Sequence, residues 1–432
     1  MKIKNIIIQN FKGFEYKKFN FNQQFNVAIG NNAMGKSTLL HALQVALGAY
    51  LQCLDIPANP SYRRQFKKTG ERFVKWDDQL LDYLPKDEET KIEICAQFLY
   101  NNQQVCWTRK LLKNETTTHS QSTVGNLIQL VNEIMEIRKS SNNILMPLIA
   151  NFGTDRKATE FRKVNKVYNK RTRLEKGYLT SLKEDTNFNG ALEWIHNYEY
   201  NVKNKIEFEG TKDAFYNALN IALPYLKNIC YNSQFNQFEA EILFDNLKLG
   251  KTIHSNMSDG LKSMLYLVAE LAFRCVILNG FKGINAVVET EGVVLIDEVD
   301  MHLHPTWQRH IVHDLKKAFP NLQFIVTTHS PYIVQSVRVE ELINLDIQTS
   351  INPADYSIEV ISEEIMNVSN AFSTDKEAEE EQSIEYFQLL NEAVKSNNKE
   401  LYKIKLELLE NAINDSGLRA FLKTNRIAKN II

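Results

Sequence analysis

The sequence predicts an α/β fold, and three observations carry that prediction. A glycine loop, Gly30 to Thr38, stands between a strand-like and a helix-like segment. Two short, nearly continuous apolar runs, GVVLIDE at 292–298 and LQFIVTTHS at 322–330, read as strands buried on both faces. Between them, HPTWQRHIVHDLKKAFP has helical spacing. A chain of 432 residues is too long for one ordinary domain and fits about two or three structural units.

The elements follow in order. Residues 1–29 alternate apolar and polar groups, with Ile3, Ile6 to Ile8, Phe11, Phe14, Phe19, Phe21, Phe25, Val27 and Ile29 as the apolar set. Aromatic and β-branched residues at period two read as strands. The last of these, Phe25 to Ile29, runs straight into the glycine loop. Residues 36–51 then place Leu39, Leu40, Leu43, Ala46 and Leu47 at helical spacing. Within 89–112, KIEICAQFLY and VCWTRKLL flank Asn101 to Gln104 and read as a hairpin. From about residue 122 to 280 the pattern reads as helical and less regular. Residues 376–429 read as two or three amphipathic helices that open with the acidic KEAEEE stretch. The expected divisions are a lobe with the glycine loop and hairpin (1–115), a helical insert and second lobe (116–290), the rest of the core (291–350) and a C-terminal helical region (351–432).

Composition narrows the function classes. Hydrophobic residues are 44% and charged residues 24%, ordinary for a soluble globular protein. A net charge of −1 gives no global field that would recruit nucleic acid or an anionic membrane. The cysteines Cys53, Cys95, Cys106, Cys230 and Cys275 are odd in number and lack metal-type spacing, so a reducing compartment and no disulfide framework are expected. MKIKNIIIQNFKGF is no signal peptide, and no window reaches the roughly 18 apolar residues of a membrane span. A cytoplasmic location without membrane contact follows as the expectation.

Gly30-Asn31-Asn32-Ala33-Met34-Gly35-Lys36-Ser37 fits G-x-x-x-x-G-K-[ST]. Glycines at that spacing let backbone N–H groups turn inward around phosphates. Lys36 sets a point charge on the outer phosphates, and Ser37 offers a hydroxyl to Mg²⁺. The following helix aims its positive N-terminal end at the anion. Val293 to Ile296 end in Asp297-Glu298, so a buried strand delivers two acids to its C-terminal edge beside that loop. Asp297 suits a Mg²⁺ ligand, acting through water, and Glu298 a general base that polarises the attacking water. The second acid favours ATP hydrolysis over a plain G-protein.

The set IGNNAMGKST, MSDG, LIDEVDMHLHP and THSP resembles the ABC/RecF/SMC ATPases. It is most similar to stand-alone AAA-type ATPases of bacteria, such as the ATPase subunits of Septu-type or retron-associated anti-phage systems. The resemblance covers roughly residues 1–50 and 150–340. It implies an ABC/RecF-like P-loop ATPase head with a helical insert and a helical C-terminal tail, working with ATP and Mg²⁺. It also implies a homodimer, or a higher homo-oligomer, that sandwiches ATP. Ser258-Asp259-Gly260 matches the shortened signature that contacts the γ-phosphate of ATP held by the opposite subunit. Gly30 to Thr38 match Walker A, Asp297-Glu298 match Walker B, Asp300 and its neighbours the D-loop, and His329 the switch histidine. Asn151 to Arg156 resemble a further family segment, and Gln97 is a weak match for the Q-loop glutamine. The signature lacks the second glycine and glutamine of transporters, and 120–280 lacks the sustained heptads of a long coiled coil.

Other features have two readings each. Read from the residues alone, Ser258-Asp259 is a helix N-cap before Leu261, Met264, Leu265, Leu267 and Val268, and a capped helix end is also an anion site. His302, His304, His310, His313 and His329 suggest a metal site, but Pro305 after His304 better suits the first turn of a helix. Residues 156–176 carry nine Lys/Arg against Glu160 and Glu175, with Phe161, Tyr168 and Tyr178 in or beside them. Arg156 to Lys176 thus suit DNA or RNA contacts, or else a solvated helix face. The tail's Phe387, Leu390, Leu401, Leu408 and Leu422 suit a cap on the core or a dock for a partner. Only the 102 residues 331–432 follow Ser330, and they hold no Asp-x-Asp, so no nuclease activity of this chain is expected. The Septu resemblance implies a separate nuclease partner of HNH type. A RecF-like repair ATPase and a nucleotide-gated assembly scaffold are the alternatives.

Overall fold

A computed structural model describes residues 1–54, 74–77, 82–85, 89–111, 119–141, 143–154, 172–184, 188–244, 247–347, 351–368, 374–395, 399–413, 415–429 and 431. Compactness divides the chain into Met1–Ile361 and Ser362–Ile432.

The first unit opens with β1 (Lys2–Phe11), β2 (Phe14–Asn20) and β3 (Phe25–Ile29), and the glycine loop leads from β3 into helix α1 (Lys36–Cys53). A short hairpin, β4 (Val74–Asp77) with β5 (Asp82–Pro85), precedes the expected hairpin β6 (Thr90–Gln97) and β7 (Gln104–Leu111). Helix α2 (Gln121–Ser141) and strand β8 (Leu148–Phe152) follow, then helices α3 (Arg173–Tyr178), α4 (Phe188–His196), α5 (Tyr198–Lys203) and α6 (Thr211–Ala222). Strands β9 (Leu226–Asn232), β10 (Gln237–Phe244) and β11 (Leu247–Ile253) lead to helix α7 (Asp259–Asn279). Strand β12 (Gly292–Ile296), helices α8 (Pro305–Gln308) and α9 (Ile311–Ala318), strand β13 (Leu322–Thr327), helix α10 (Pro331–Gln335), strand β14 (Leu342–Asn344) and one turn, α11 (Ile358–Val360), complete it.

Five of these strands form one parallel sheet in the order β14-β3-β13-β12-β8. All residues of β3, β8, β12 and β13 are buried. That explains why GVVLI and LQFIVT are continuous apolar runs: such a strand has no water-facing side. The strands of antiparallel sheets β2-β1-β6-β7 and β11-β10-β9 precede those of this core or fall between them in sequence. In the first, β1 alternates buried Ile6, Ile8 and Asn10 with half-buried Ile7 and Gln9, the pattern of a one-sided sheet.

Two expectations need correction. The stretch 116–290 is not simply helical: it contains β8 of the core sheet and all of β9–β11. Leu148–Phe152 (LIANF) is a five-residue apolar run, too short for periodicity to separate a buried strand from a helix. The cysteines also differ from expectation, because Cys95 and Cys106 form a disulfide. They are register partners across the β6–β7 hairpin, so strand pairing brings them together. Sequence spacing alone gives no sign of that contact.

Helix α7 is buried on nearly every side. Every residue from Gly260 to Asn279 except Lys262 is buried. A helix apolar on all sides belongs in a core, and each buried Leu or Val contributes about 1.5–3 kcal/mol. Its one buried ion pair, Glu270–Arg274, also donates from Arg274 to the Gly177 and Leu179 carbonyls at 2.8 and 2.9 Å. Glycines mark two tight crossings. A Cβ on Gly177 would lie 2.4 Å from Leu278 Cδ2, and one on Gly292 would lie 2.1 Å from the Leu148 carbonyl oxygen.

The second unit holds α12 (Thr374–Lys395), α13 (Lys399–Ala412) and α14 (Ser416–Ala428). Tyr386, Leu390, Ala393, Leu406, Ile413, Leu422 and Ile431 make its core. Inside it the Tyr386 hydroxyl donates to Glu410 at 2.7 Å, and Arg426 Nε donates to the same carboxylate at 2.7 Å. Leu401, Ile404 and Leu408 of α13 stay exposed. Among the described residues, no helix is long and apolar enough to cross a membrane.

Candidate functional site

The phosphate loop leaves the C-terminal end of β3, which lies between β14 and β13 in the parallel sheet. Gly30, Ala33 and Gly35 have φ of 152°, 70° and 100°. Ala33 has the left-handed backbone without being glycine, which costs about 1 kcal/mol and marks a loop held in shape by its surroundings. Gly35 has no room for a side chain, since a Cβ would meet the Phe14 ring at 2.5 Å. The hairpin β1–β2 therefore braces the loop from outside. Asn31, Asn32, Ala33 and Met34 are exposed, whereas Lys36 is buried. Lys36 Nζ donates to the carbonyls of Gly30 at 2.6 Å and Asn31 at 3.3 Å. Burial lowers the Lys36 pKa from its ordinary value, against the opposing pull of Asp346, Asp297, Glu298 and Asp300.

Asp297 stands at the end of β12, two strands away from β3. Its Oδ2 accepts from the Ser37 hydroxyl at 3.1 Å. Thr327, at the end of the intervening strand β13, donates to Asp297 Oδ1 and accepts from the Glu298 N–H at 2.8 Å. The Asp297 N–H donates to the Phe152 carbonyl of β8 at 2.8 Å. Glu298 itself has φ of 47°, so the chain turns sharply just past the strand. The parallel sheet thus collects the loop, both acids and His329 along one edge, with His329 exposed just beyond β13.

Past Glu298, Thr328 Oγ1 donates to Asp300 Oδ1 at 2.6 Å, and His302 takes φ of 64°. Gly260 rests on this turn: a Cβ there would lie 2.3 Å from the His302 carbonyl oxygen. Ser258 occupies the N-cap position of α7, as its sequence suggested, yet its side chain makes no capping hydrogen bond and is exposed. Asp259 is exposed as well.

Several residues of this edge carry no sequence signature. Thr327 is fully buried and joins the two acids to β13, the strand between β12 and β3. Asp346, just past β14, accepts from the Asn31 N–H at 2.7 Å and packs on Gly30. Its only trace in the sequence was a short strand-like run after the switch segment. Gln97 does not join the site. It pairs with Lys2, at the opposite end of β1 from Phe11, and its side chain donates to Asn102. Asn151 does stand at this edge, buried, accepting from Gln44 Nε2 at 3.0 Å. Asp155 and the basic residues Arg156 to Arg171 lie outside the described residues. His304 caps α8 by accepting from the Thr306 N–H at 3.3 Å, with Pro305 at the start of the helix. Among the described residues no cluster of three potential metal ligands occurs.

A braced phosphate loop, a lysine within it and an acid pair on the next strand but one form the arrangement of a P-loop nucleotide site. Residues 128–335 match a family model described as "AAA domain, putative AbiEii toxin, Type IV TA system". The "Retron Vc95 probable ATPase" of Vibrio cholerae serotype O1 biovar El Tor is 25% identical over 408 residues, covering 84% of this chain and 76% of that protein. The "Septu protein PtuA" of Bacillus thuringiensis is 40% identical over 102 residues, 23% of this chain and 25% of that protein. Among solved structures, the SMC head domain from Thermotoga maritima matches with a TM-score of 0.42 at 14% identity, covering 82% of this chain and 97% of that one.

Proposed function

We propose that the chain binds ATP with Mg²⁺ between two copies of itself and hydrolyses it, and that this cycle regulates a separate effector in anti-phage defence. The observation that carries the reading is the Ser37–Asp297 contact of 3.1 Å at the mouth of the phosphate loop. A hydroxyl and a carboxylate are hard oxygen donors of the kind Mg²⁺ takes. A Cβ on Gly35 would strike the Phe14 ring and one on Gly30 would crowd Leu345, so both positions keep the loop's backbone bare, as a phosphate cradle requires.

In this reading Gly30 to Thr38 hold the phosphates, and Lys36 exchanges its two loop carbonyls for phosphate oxygens. Ser37 and Asp297 would hold Mg²⁺, which would supply positive charge against the charge that builds on the phosphates. Glu298, at the turn just past β12, takes a proton from the attacking water. His329 meets the γ-phosphate. Ser258 and the N–H groups of Asp259 and Gly260 serve the nucleotide of the opposite copy, which agrees with an N-cap hydroxyl left without a capping bond.

The effector we favour is a separate nuclease of HNH type, as the motif resemblance implies. The protein acts in the cytoplasm, and nucleic acid contacts, if present, involve Arg156 to Lys176. The test has two arms. Wild type should release phosphate from ATP with Mg²⁺, and Glu298→Gln should lose about 10²–10⁴-fold in kcat while still binding ATP. The tagged chain, expressed with its native neighbours, should co-purify with a nuclease whose cleavage changes with ATP. Turnover unaffected by Glu298→Gln would refute the hydrolytic role. Recovery with DNA alone would move the reading to repair.

A further inference from the structure

His329 lies between two residues that both reach the D-loop. On one side Thr328 Oγ1 donates to Asp300 Oδ1 at 2.6 Å. On the other, Ser330 Oγ donates to Gln308 Oε1 at 2.6 Å. Gln308 in turn donates through Nε2 to the Leu303 carbonyl at 2.8 Å. The amide of one side chain therefore links the residue after His329 to the last residue of the D-loop turn.

Ser330 makes this link in place of its usual work. It is the N-cap residue of α10, where a serine hydroxyl ordinarily accepts from the first free N–H groups of the helix. Here it makes no such bond, and the hydroxyl points to Gln308. Gln308 is likewise only partly buried at the end of the one-turn helix α8, so packing alone does not dictate its direction. Both groups are arranged for each other.

The D-loop turn also bears the signature helix. Gly260 touches the His302 carbonyl, and Leu303, whose carbonyl Gln308 holds, is buried beside Leu261 and Met264 of α7. Any displacement of 329–330 is passed through Gln308 to 302–303 and so to the N-terminus of α7.

We infer that Gln308 is a positioning residue that makes the switch histidine, the D-loop and the signature helix of one copy move as a single body. The inference rests on the ATPase reading above and adds a residue to it. Gln308 acts through other residues and not on the nucleotide. It fixes where His329 stands relative to the face shown to the opposite copy.

The test is steady-state ATP hydrolysis by full-length wild type, Gln308→Leu, Ser330→Ala and the double variant. Gln308→Leu keeps the bulk and removes every hydrogen bond of this side chain. Ser330→Ala removes one hydroxyl, and keeps the test decisive if the leucine variant folds poorly. Each single variant should lose at least tenfold in kcat with KM for ATP within twofold, and the double variant should be no slower than the slower single. A residue that merely stabilises the fold would not give that split with non-additive losses. Unchanged kcat in Ser330→Ala, or losses that multiply in the double variant, would overturn the inference. Absence of turnover in wild type would instead overturn the hydrolytic reading itself, and this inference with it.

Discussion

The phosphate loop and the edge formed by the acids and the switch are neighbours, yet they are built differently. The loop is held by backbone: two glycines, an alanine with left-handed φ and a lysine that donates to loop carbonyls. The other edge is held by side chains, with Thr327 on Asp297, Thr328 on Asp300 and Ser330 on Gln308. A backbone cradle tolerates few residue types and so leaves a spaced motif. A hydrogen-bonded edge is assembled from common polar residues far apart in sequence. The comparison teaches that the half of the site proposed to grip an anion is rigid by construction, whereas the half proposed to respond is rigid only while its hydrogen bonds last.

Lys36→Ala breaks the comparison on the loop side and should have the largest effect. Loss of a charged hydrogen-bond donor lowers ATP affinity by roughly 10–100-fold. Titration calorimetry with ATP and Mg²⁺ measures it, and an affinity within twofold of wild type would remove Lys36 from the site.

Thr327→Val breaks it on the other side. Valine fills the same space but leaves the Glu298 N–H and an Asp297 oxygen without their buried partner. The expected cost is about 1–3 kcal/mol in urea unfolding, together with weaker Mg²⁺ dependence of ATP binding. An unchanged unfolding midpoint would mean that the edge does not depend on this hydroxyl.

The smallest effect concerns the approach to the signature motif. His254 is buried against Phe188, and its Nδ1 accepts from the Phe238 N–H at 3.0 Å. Burial pushes its pKa from 6.5 down to about 4. The unfolded chain takes up the proton first, so this contribution to stability is complete above pH 6.5 and fades as the pH falls toward 4. Thermal unfolding of His254→Gln should therefore depend less on pH than wild type across that window. Parallel curves for the two proteins would exclude His254 as the titrating group.

The sequence made β3, β12, β13, the hairpin β6–β7 and helix α1 legible, because each combines a periodic or continuous apolar pattern with a turn signal. It hid β8, since LIANF is too short to distinguish strand from helix. It hid β9–β11, whose mixed polar residues such as Lys227, Glu239 and Lys251 obscure the alternation. The same logic governs the site. Gly30 to Thr38, Asp297, Glu298 and His329 lie in contiguous motifs and stand along one edge of the sheet. Thr327, Gln308 and Asp346 act through contacts that only the fold creates. The Cys95–Cys106 pair is the same lesson in covalent form, because its partners meet by strand register and not by spacing.

The central claim is that two copies close on ATP through Ser258 of one and Lys36 of the other. The most direct measurement is the mass in solution of Glu298→Gln, with and without ATP and Mg²⁺, beside the same protein carrying Ser258→Arg. The account predicts that ATP doubles the mass of Glu298→Gln, and that adding Ser258→Arg prevents the doubling while ATP still binds. A mass indifferent to ATP, or a doubling that survives Ser258→Arg, would contradict it.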